Sequence, residues 1–275
     1  MTTSPIKYRV VVGIEEMKEI VFFQGEIWGH EVVTPLTQLV AASHHGGIVI
    51  GAFQEEKVIG FTYGFPGFKD GRAYLISHMT AVHPKHQNAG IGYALKLAQR
   101  EWAIKTGGYK KIVWTYDPLE ARNAYFNLVK LGGYARQYIK EYYGLMDDKL
   151  NKGLPTDRFL IEWDITSKRV ERAISDQHSL SDSVHTYPFV LLRELEKTPS
   201  VKLEESAGYL VPVPKNIQQI KIQDIQLAKS WRDDLRLFFT ELLAKDFVVT
   251  GIMKDRDPSY QFYVIENSNL GVLDD

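Results

Sequence analysis

The 275-residue chain predicts an α/β fold, a mixed sheet flanked by helices, with a small α+β extension at its C-terminal end. Three observations predict it. Short apolar runs alternate with helically periodic segments as far as Ile165, and a Gly-rich turn joins one of those strands to one of those helices. Beyond a polar stretch, one strongly amphipathic helix and two more apolar runs close the chain.

Residues 8–12 alternate and suit a first strand, while Met17, Ile20, Val21, Ile27 and Trp28 recur near helical spacing. Residues 35–42 read as a second helix, with Pro35 in its first turn. Residues 47–53 and 58–65 are apolar runs around a polar turn, residues 66–72 read as a loop, and 74–82 as a strand. After the glycine turn, Ala94, Leu95, Leu97, Ala98, Trp102 and Ala103 mark a helix that Gly107 and Gly108 end. A strand over 111–116, a helix over 119–131 and a strand over 158–165 follow, with 134–143 as an aromatic-rich loop. The resulting order is β-α-α-β-β-β-α-β-α-β. Residues 168–216 read as a polar connector with a strand at Phe189–Arg193. Residues 217–275 hold the helix at 224–245, with Trp231, Leu235, Phe238 and Leu242 on one face, and a hairpin from 247–252 and 261–265. One helix and two strands make a small core, so this segment is expected to dock on a first domain spanning 1–167.

Composition excludes several functions. Thirty-three Lys and Arg against 34 Asp and Glu leave a formal charge of −1, without the clustered positive charge a nucleic-acid partner needs. With no cysteine there is no disulfide, thiolate metal site or Cys nucleophile. His44 and His45 adjoin no carboxylate cluster, and no metal is expected. The N-terminus lacks a signal pattern and no apolar run reaches membrane-spanning length, so a soluble, cytoplasmic protein with no membrane partner is expected.

The most informative stretch is Val82-His83-Pro84-Lys85-His86-Gln87-Asn88-Ala89-Gly90-Ile91-Gly92-Tyr93. A glycine turn between strand and helix leaves a row of N–H groups open at the positive end of the helix dipole, which suits a phosphate. It is not the Gly-x-Gly-x-x-Gly of a dinucleotide site, and Gly92-Tyr93-Ala94 lacks the Lys-Ser/Thr of a nucleotide-triphosphate loop. Gln-x-x-Gly-x-Gly after Val-x-Pro, together with Asn123 and the closing Lys130-Leu131-Gly132, resembles the GNAT family, the GCN5-related N-acetyltransferases. The resemblance runs over about residues 8–165 and extends to a subfamily with a similar C-terminal extension, through Asp117-Pro118-Leu119-Glu120-Ala121-Arg122-Asn123 and Asn151-Lys152-Gly153-Leu154-Pro155-Thr156-Asp157-Arg158. Some relatives there are associated with N-acylamino acid racemases.

That resemblance implies the GNAT acyl-CoA N-acyltransferase fold, with acetyl-CoA or succinyl-CoA as acyl donor. Thr80, Ala81 and Val82 would offer backbone groups to the pantetheine arm, and the amides of Gln87, Asn88, Ala89, Gly90, Ile91, Gly92 and Tyr93 would take the pyrophosphate. His78 stands where many members carry a glutamate base, and an imidazole titrates near neutral pH. His83 and His86 flank the loop and would meet solvent or phosphate. The family's tyrosine acid falls at Leu128, so Tyr125 and Tyr116 are the remaining candidates to protonate the leaving thiolate. Asn123 would lie near coenzyme A, and Arg122 and Arg136 are candidates for a substrate carboxylate, with Lys140 and Arg158 also available. The expected acceptor is the amine of a small molecule, an amino acid among the candidates. A protein acetyltransferase and a non-catalytic coenzyme A-binding module are the alternatives, and a homodimer is a candidate assembly that the sequence itself does not show.

Overall fold

The computed structural model describes residues 4–144, 146, 151–177, 180, 182–190, 206–254 and 259–273, and the chain divides into two units, Met1–Trp114 and Thr115–Asp275.

The first unit is a mixed sheet with helices. Its elements are β1 (Lys7–Val10), α1 (Ile14–Trp28), α2 (Leu36–His44), β2 (Ile48–Gln54), β3 (Lys57–Lys69), β4 (Arg72–Val82), α3 (Ile91–Trp102) and β5 (Lys111–Tyr116), the last crossing into the second unit. The strands lie in the order β1-β2-β3-β4-β5. All neighbours are antiparallel except β4 and β5, which run parallel because α3 returns the chain between them. Ile48 to Phe53 are all buried, as the central position of β2 demands. Met17, Ile20 and Phe23 of α1 and Leu39 of α2 pack with Val49, Phe61 and Tyr63 in one core.

Residues 66–72 depart from the expected loop. β3 and β4 continue to a two-residue turn at Asp70-Gly71, where φ is 53° and 73°. The pairing of β3 with β2 ends at Gly64, so Pro66 sits where β3 is paired with β4 alone, and its missing N–H breaks no second ladder.

The second unit is built on strands β6 (Tyr134–Ile139), β7 (Arg158–Asp164), β8 (Gly208–Pro214), β9 (Phe247–Lys254) and β10 (Tyr260–Asn267), in the order β7-β6-β9-β10-β8. Its helices are α4 (Ala121–Ala124), continued by a π-helical turn over Tyr125–Lys130, then α5 (Lys168–Ile174), α6 (Ile217–Gln223) and α7 (Ile225–Leu243). The loop expected over 134–143 is in fact strand β6 followed by a turn. Pairing steps from Ala135↔Ile161 to Gln137↔Leu160, leaving Arg136 as a bulge; that extra residue breaks the alternation by which a strand is recognised. The polar connector likewise holds α5 and β8. Of the strand expected at Phe189–Arg193, Phe189 bridges Leu210, while 191–193 lie outside the described residues. The C-terminal helix and hairpin form as read, as α7 with β9 and β10, and Ala135 pairs with Val249 to join the hairpin to β6.

Trp231, Leu235, Phe238, Phe239 and Leu242 bury one face of α7, with Phe239 stacked on Tyr138 and edge-on to Phe159 and Tyr263. At about 1.5–3 kcal/mol for each large side chain, this burial outweighs the roughly 1 kcal/mol of the Asp224 cap on Gln226 and Leu227. Among the described residues no helix is long and apolar enough to cross a membrane.

Buried charge is concentrated at one place in this unit. Asp157, wholly buried, accepts from Arg236 Nε at 2.8 Å and Nη2 at 2.7 Å, from the Tyr138 hydroxyl at 2.6 Å and from the Glu141 N–H at 3.0 Å. Desolvation works to raise its pKa, but the Arg236, Tyr138 and Glu141 hydrogen bonds hold it below the usual carboxylate value. A carboxylate with a depressed folded pKa contributes stability that is complete above its unfolded value of about 4 and is lost as pH falls through the folded value. Asp157→Asn is therefore expected to lose about 3 kcal/mol at neutral pH. Urea unfolding from pH 7 downward should also show a flatter acid slope in the variant than in the wild type.

Candidate active site

In the first unit, the local geometry begins where β4 loses a neighbour. Leu75 pairs with Ile112 and Ile76 with Val113; from Ser77 to Val82 the described ladder of β4 runs to β3 alone. The edge of β4 toward β5 thus keeps backbone groups that no ladder satisfies, and such groups demand a partner. Thr80, Ala81 and Val82 lie on this open length, opposite Thr62, Phe61 and Gly60, and Thr80 shares a 2.8 Å hydroxyl bond with Thr62.

His78 sits at the bulge within that length. Pairing steps from Tyr63↔Met79 to Gly64↔Ser77, so His78 is the extra residue and its side chain is re-aimed out of the regular alternation. Its ring packs against Phe65 at 5.6 Å and Tyr63 at 6.1 Å between centroids while the residue stays exposed. Desolvation by these neighbours lowers the imidazole pKa below the ordinary histidine value, so it is a neutral base at pH 7.

The strand leads straight into the glycine turn. His83 is tied to Ile59 by its N–H, and its Nδ1 accepts from the Lys85 N–H at 3.2 Å; Gln87 reaches back to the Val82 carbonyl at 3.4 Å. Asn88 and Gly90 both adopt left-handed backbone, with φ 65° and 78°. Gly90 caps α3 with no side chain to offer, and Ala94 is the first residue whose N–H bonds back to Gly90. The first-turn amides therefore face out of the helix end, beside an exposed stretch running from Gln87 to Gly90. A Cβ on Gly92 would meet only Val82, at an ordinary 3.7 Å. Protein packing does not require glycine there, and a backbone without a Cβ leaves room for a ligand to approach it closely.

The remaining predicted residues belong to the second unit. Tyr116 is buried and its hydroxyl lies 3.3 Å from that of Tyr263, which donates to the Pro118 carbonyl at 2.6 Å. With the Tyr263 proton so committed, the Tyr116 hydroxyl donates inward, and burial pushes its pKa far up. Arg122 and Asn123 are exposed on α4, Tyr125 is half-buried on the π-helical turn, and Leu128 is fully buried. Arg136, at the β6 bulge, is exposed and lies 5.2 Å from the Tyr134 ring centre. Among the described residues no group of three or more His, Asp or Glu is placed to hold a metal ion.

Residues 14–128 match the Acetyltransferase (GNAT) family. That segment is similar to GNAT acetyltransferases. No curated protein matches the chain. Solved structures similar to it include a GNAT-family acetyltransferase from Streptococcus pneumoniae, 16% identical over 57% of this chain and 98% of that one, with a TM-score of 0.45. Arabidopsis thaliana NAA60 in complex with acetyl-CoA is 11% identical over 58% of this chain and 99% of its own, with a TM-score of 0.46. Arabidopsis thaliana Naa50, bound to the bisubstrate analogue CoA-Ac-MVNAL, is 14% identical over 57% and 97%, with a TM-score of 0.45.

Sequence reasoning passed over two residues of the first unit. Lys96 and Ser77 are both buried and hydrogen-bonded to each other at 2.9 Å. The signal was a lysine inside the apolar run from Ala94 to Ala98, a position where a solvated charge is out of place.

The lowered pKa of His78 sets a pH profile. If it is the base, kcat/KM rises with pH through a midpoint below about 6.5 and is level at pH 7. His78→Gln is expected to lose roughly 100-fold in kcat and to abolish that acid limb, while coenzyme A affinity is retained. A limb centred above neutrality would assign the base elsewhere.

Proposed function

We propose that the chain is an acyl-CoA-dependent N-acyltransferase that moves an acetyl or succinyl group to the amine of a small molecule, an amino acid being the leading acceptor class. The observation that carries this reading is the continuous run of open β4 edge, bulged His78 and glycine-capped α3. Acyl-CoA would lay its pantetheine arm along Thr80, Ala81 and Val82, with its pyrophosphate on the amides from Gln87 to Tyr93.

His78 takes a proton from the amine; its nitrogen then attacks the thioester carbonyl, forming the C–N bond and an oxyanion. Collapse breaks the C–S bond, and the electron pair leaves on sulfur. The inward-bonded hydroxyl of Tyr116 favours Tyr125 as the donor to that thiolate. Asn123 lies on the short helix before Tyr125, and the exposed Arg122 and Arg136 are the cations assigned to a carboxylate on donor or acceptor.

A fully buried leucine at Leu128, where the family carries its tyrosine acid, favours one second reading: a module that binds coenzyme A without turnover. Free-thiol release from acetyl-CoA and succinyl-CoA, with D- and L-amino acids, polyamines and peptides, separates them. Turnover with a small amine is expected. Turnover with peptides alone would make the protein a protein acetyltransferase, and silence with retained coenzyme A binding would leave the module.

A further inference from the structure

On its outer side β1 has no further strand. It pairs with β2 through Lys7↔Phe53 and Arg9↔Gly51, and the Val11 N–H continues the ladder to the Val49 carbonyl at 2.9 Å. Antiparallel pairs alternate, so Lys7, Arg9 and Val11 turn their backbone groups toward β2, and Tyr8, Val10 and Val12 turn theirs outward. Among the described residues no backbone group bonds to that outward row. The side chains along it are apolar and bare: Val12 is 79% exposed, and Val10 and Ile14 are exposed as well.

The outer strand of the second unit is built the other way. The Leu210 N–H and C=O of β8 are taken by the Pro188 carbonyl at 3.0 Å and the Val190 N–H at 2.8 Å. Pro212 and Pro214 stand at the next two outward positions of that strand and have no N–H to offer. That edge is blunted, and β1 carries no such device. Its two charges, of the kind that guard an edge, are paired within the unit: Lys7 with Glu56 at 3.2 Å, and Arg9 with Glu16 at 2.5 Å.

We propose that β1 is a self-association edge, where a second copy of this chain pairs antiparallel about a twofold axis at Val10. The edge is complementary to itself in that register. Val10 faces the copy's Val10 and Tyr8 faces the copy's Val12, so the outward groups close about six N–H···O=C bonds. Tyr8, Val10 and Val12 share one face, and their aromatic and β-branched side chains meet the same row reversed. Arg9 faces the copy's Val11 and Lys7 the copy's Gly13, so no like charges are opposed. An axis at Tyr8 would set Lys7 against Arg9, and one at Arg9 would set that residue against itself; both are destabilising. A twofold interface needs one self-complementary patch, and this edge supplies it. The pairing is independent of acyl-CoA chemistry.

Sedimentation of the full chain over a range of concentrations tests it. One strand makes a small interface, so a dimer is expected at about 100 μM protein and not at nanomolar levels. Val10→Pro removes an outward N–H and leaves the ladder to β2 intact. Val10→Lys and Val10→Glu each oppose like charges across the axis. Each of the three is expected to raise the dimer dissociation constant about 10-fold or more, with circular dichroism and Tm as in the wild type. Should the proline variant fail to fold, the two charge variants decide alone. Val10→Lys and Val10→Glu chains mixed together are expected to recover a mixed dimer, because opposite charges then face each other. A wild type that stays monomeric at that concentration would overturn the proposal, as would a dimer that survives these substitutions. A mixture of the two charge variants that remains monomeric would overturn it too.

Discussion

The first unit is organised by the loss of pairing on one edge of one strand. Among the described residues β4 pairs with β5 at Leu75 and Ile76, and from Ser77 onward its ladder runs to β3. Backbone polar groups cost free energy when left unpaired away from water, so an open edge inside a sheet is stable only if something occupies it or solvent reaches it. The other local features follow from that edge. The bulge at His78 falls on it, the glycine turn begins at its end, and Lys96 sits where it closes. A fully zipped β4–β5 pair would satisfy every N–H and C=O and would leave no reason for any of the three.

Much of this was legible in the sequence. The glycine turn was clear because its chemistry is backbone chemistry: Gly90 is required by a φ of 78° that other residues rarely adopt, and the residues around it follow in order. The helices and the C-terminal hairpin were clear because their apolar spacing is regular. What the sequence hid were the irregular places. A bulge is one residue out of step, so β6 lost its alternation at Arg136, and the bulge that isolates His78 left no mark in composition. The extension of β3 through Pro66 depended on where β2 stops, which is a fact about a neighbouring strand. Lys96 was visible only as an anomaly among apolar residues, since its meaning comes from Ser77 and Trp114, each 18 or 19 positions away in the chain.

The two stretches 117–123 and 151–158 meet around helix α7. Asp117, just after β5, accepts from the fully buried Arg232 at 2.5 Å and lies 3.7 Å from Arg158, while the adjacent Asp157 is held by Arg236 one turn further along the helix. Arg158 in turn donates to Asn151 at 2.7 Å, and Gln218 of α6 donates to Glu120 at 2.6 Å. Packing of α7 does not call for any of this, because its aromatic face already supplies the greater part of its free energy. Buried ion pairs are also a poor way to gain stability, since desolvation offsets most of their attraction. Their physical use is discrimination: moving an arginine off its carboxylate leaves a desolvated charge unpaired, at a cost of several kcal/mol, whereas an aromatic face tolerates a slip at far less. The arginines therefore fix where the C-terminal segment sits on the turn between β5 and α4. That turn leads directly into α4 and the π-helical turn, which carry Arg122, Asn123 and Tyr125, so Asp117 and Glu120 tie the C-terminal segment to the start of the helix that holds them.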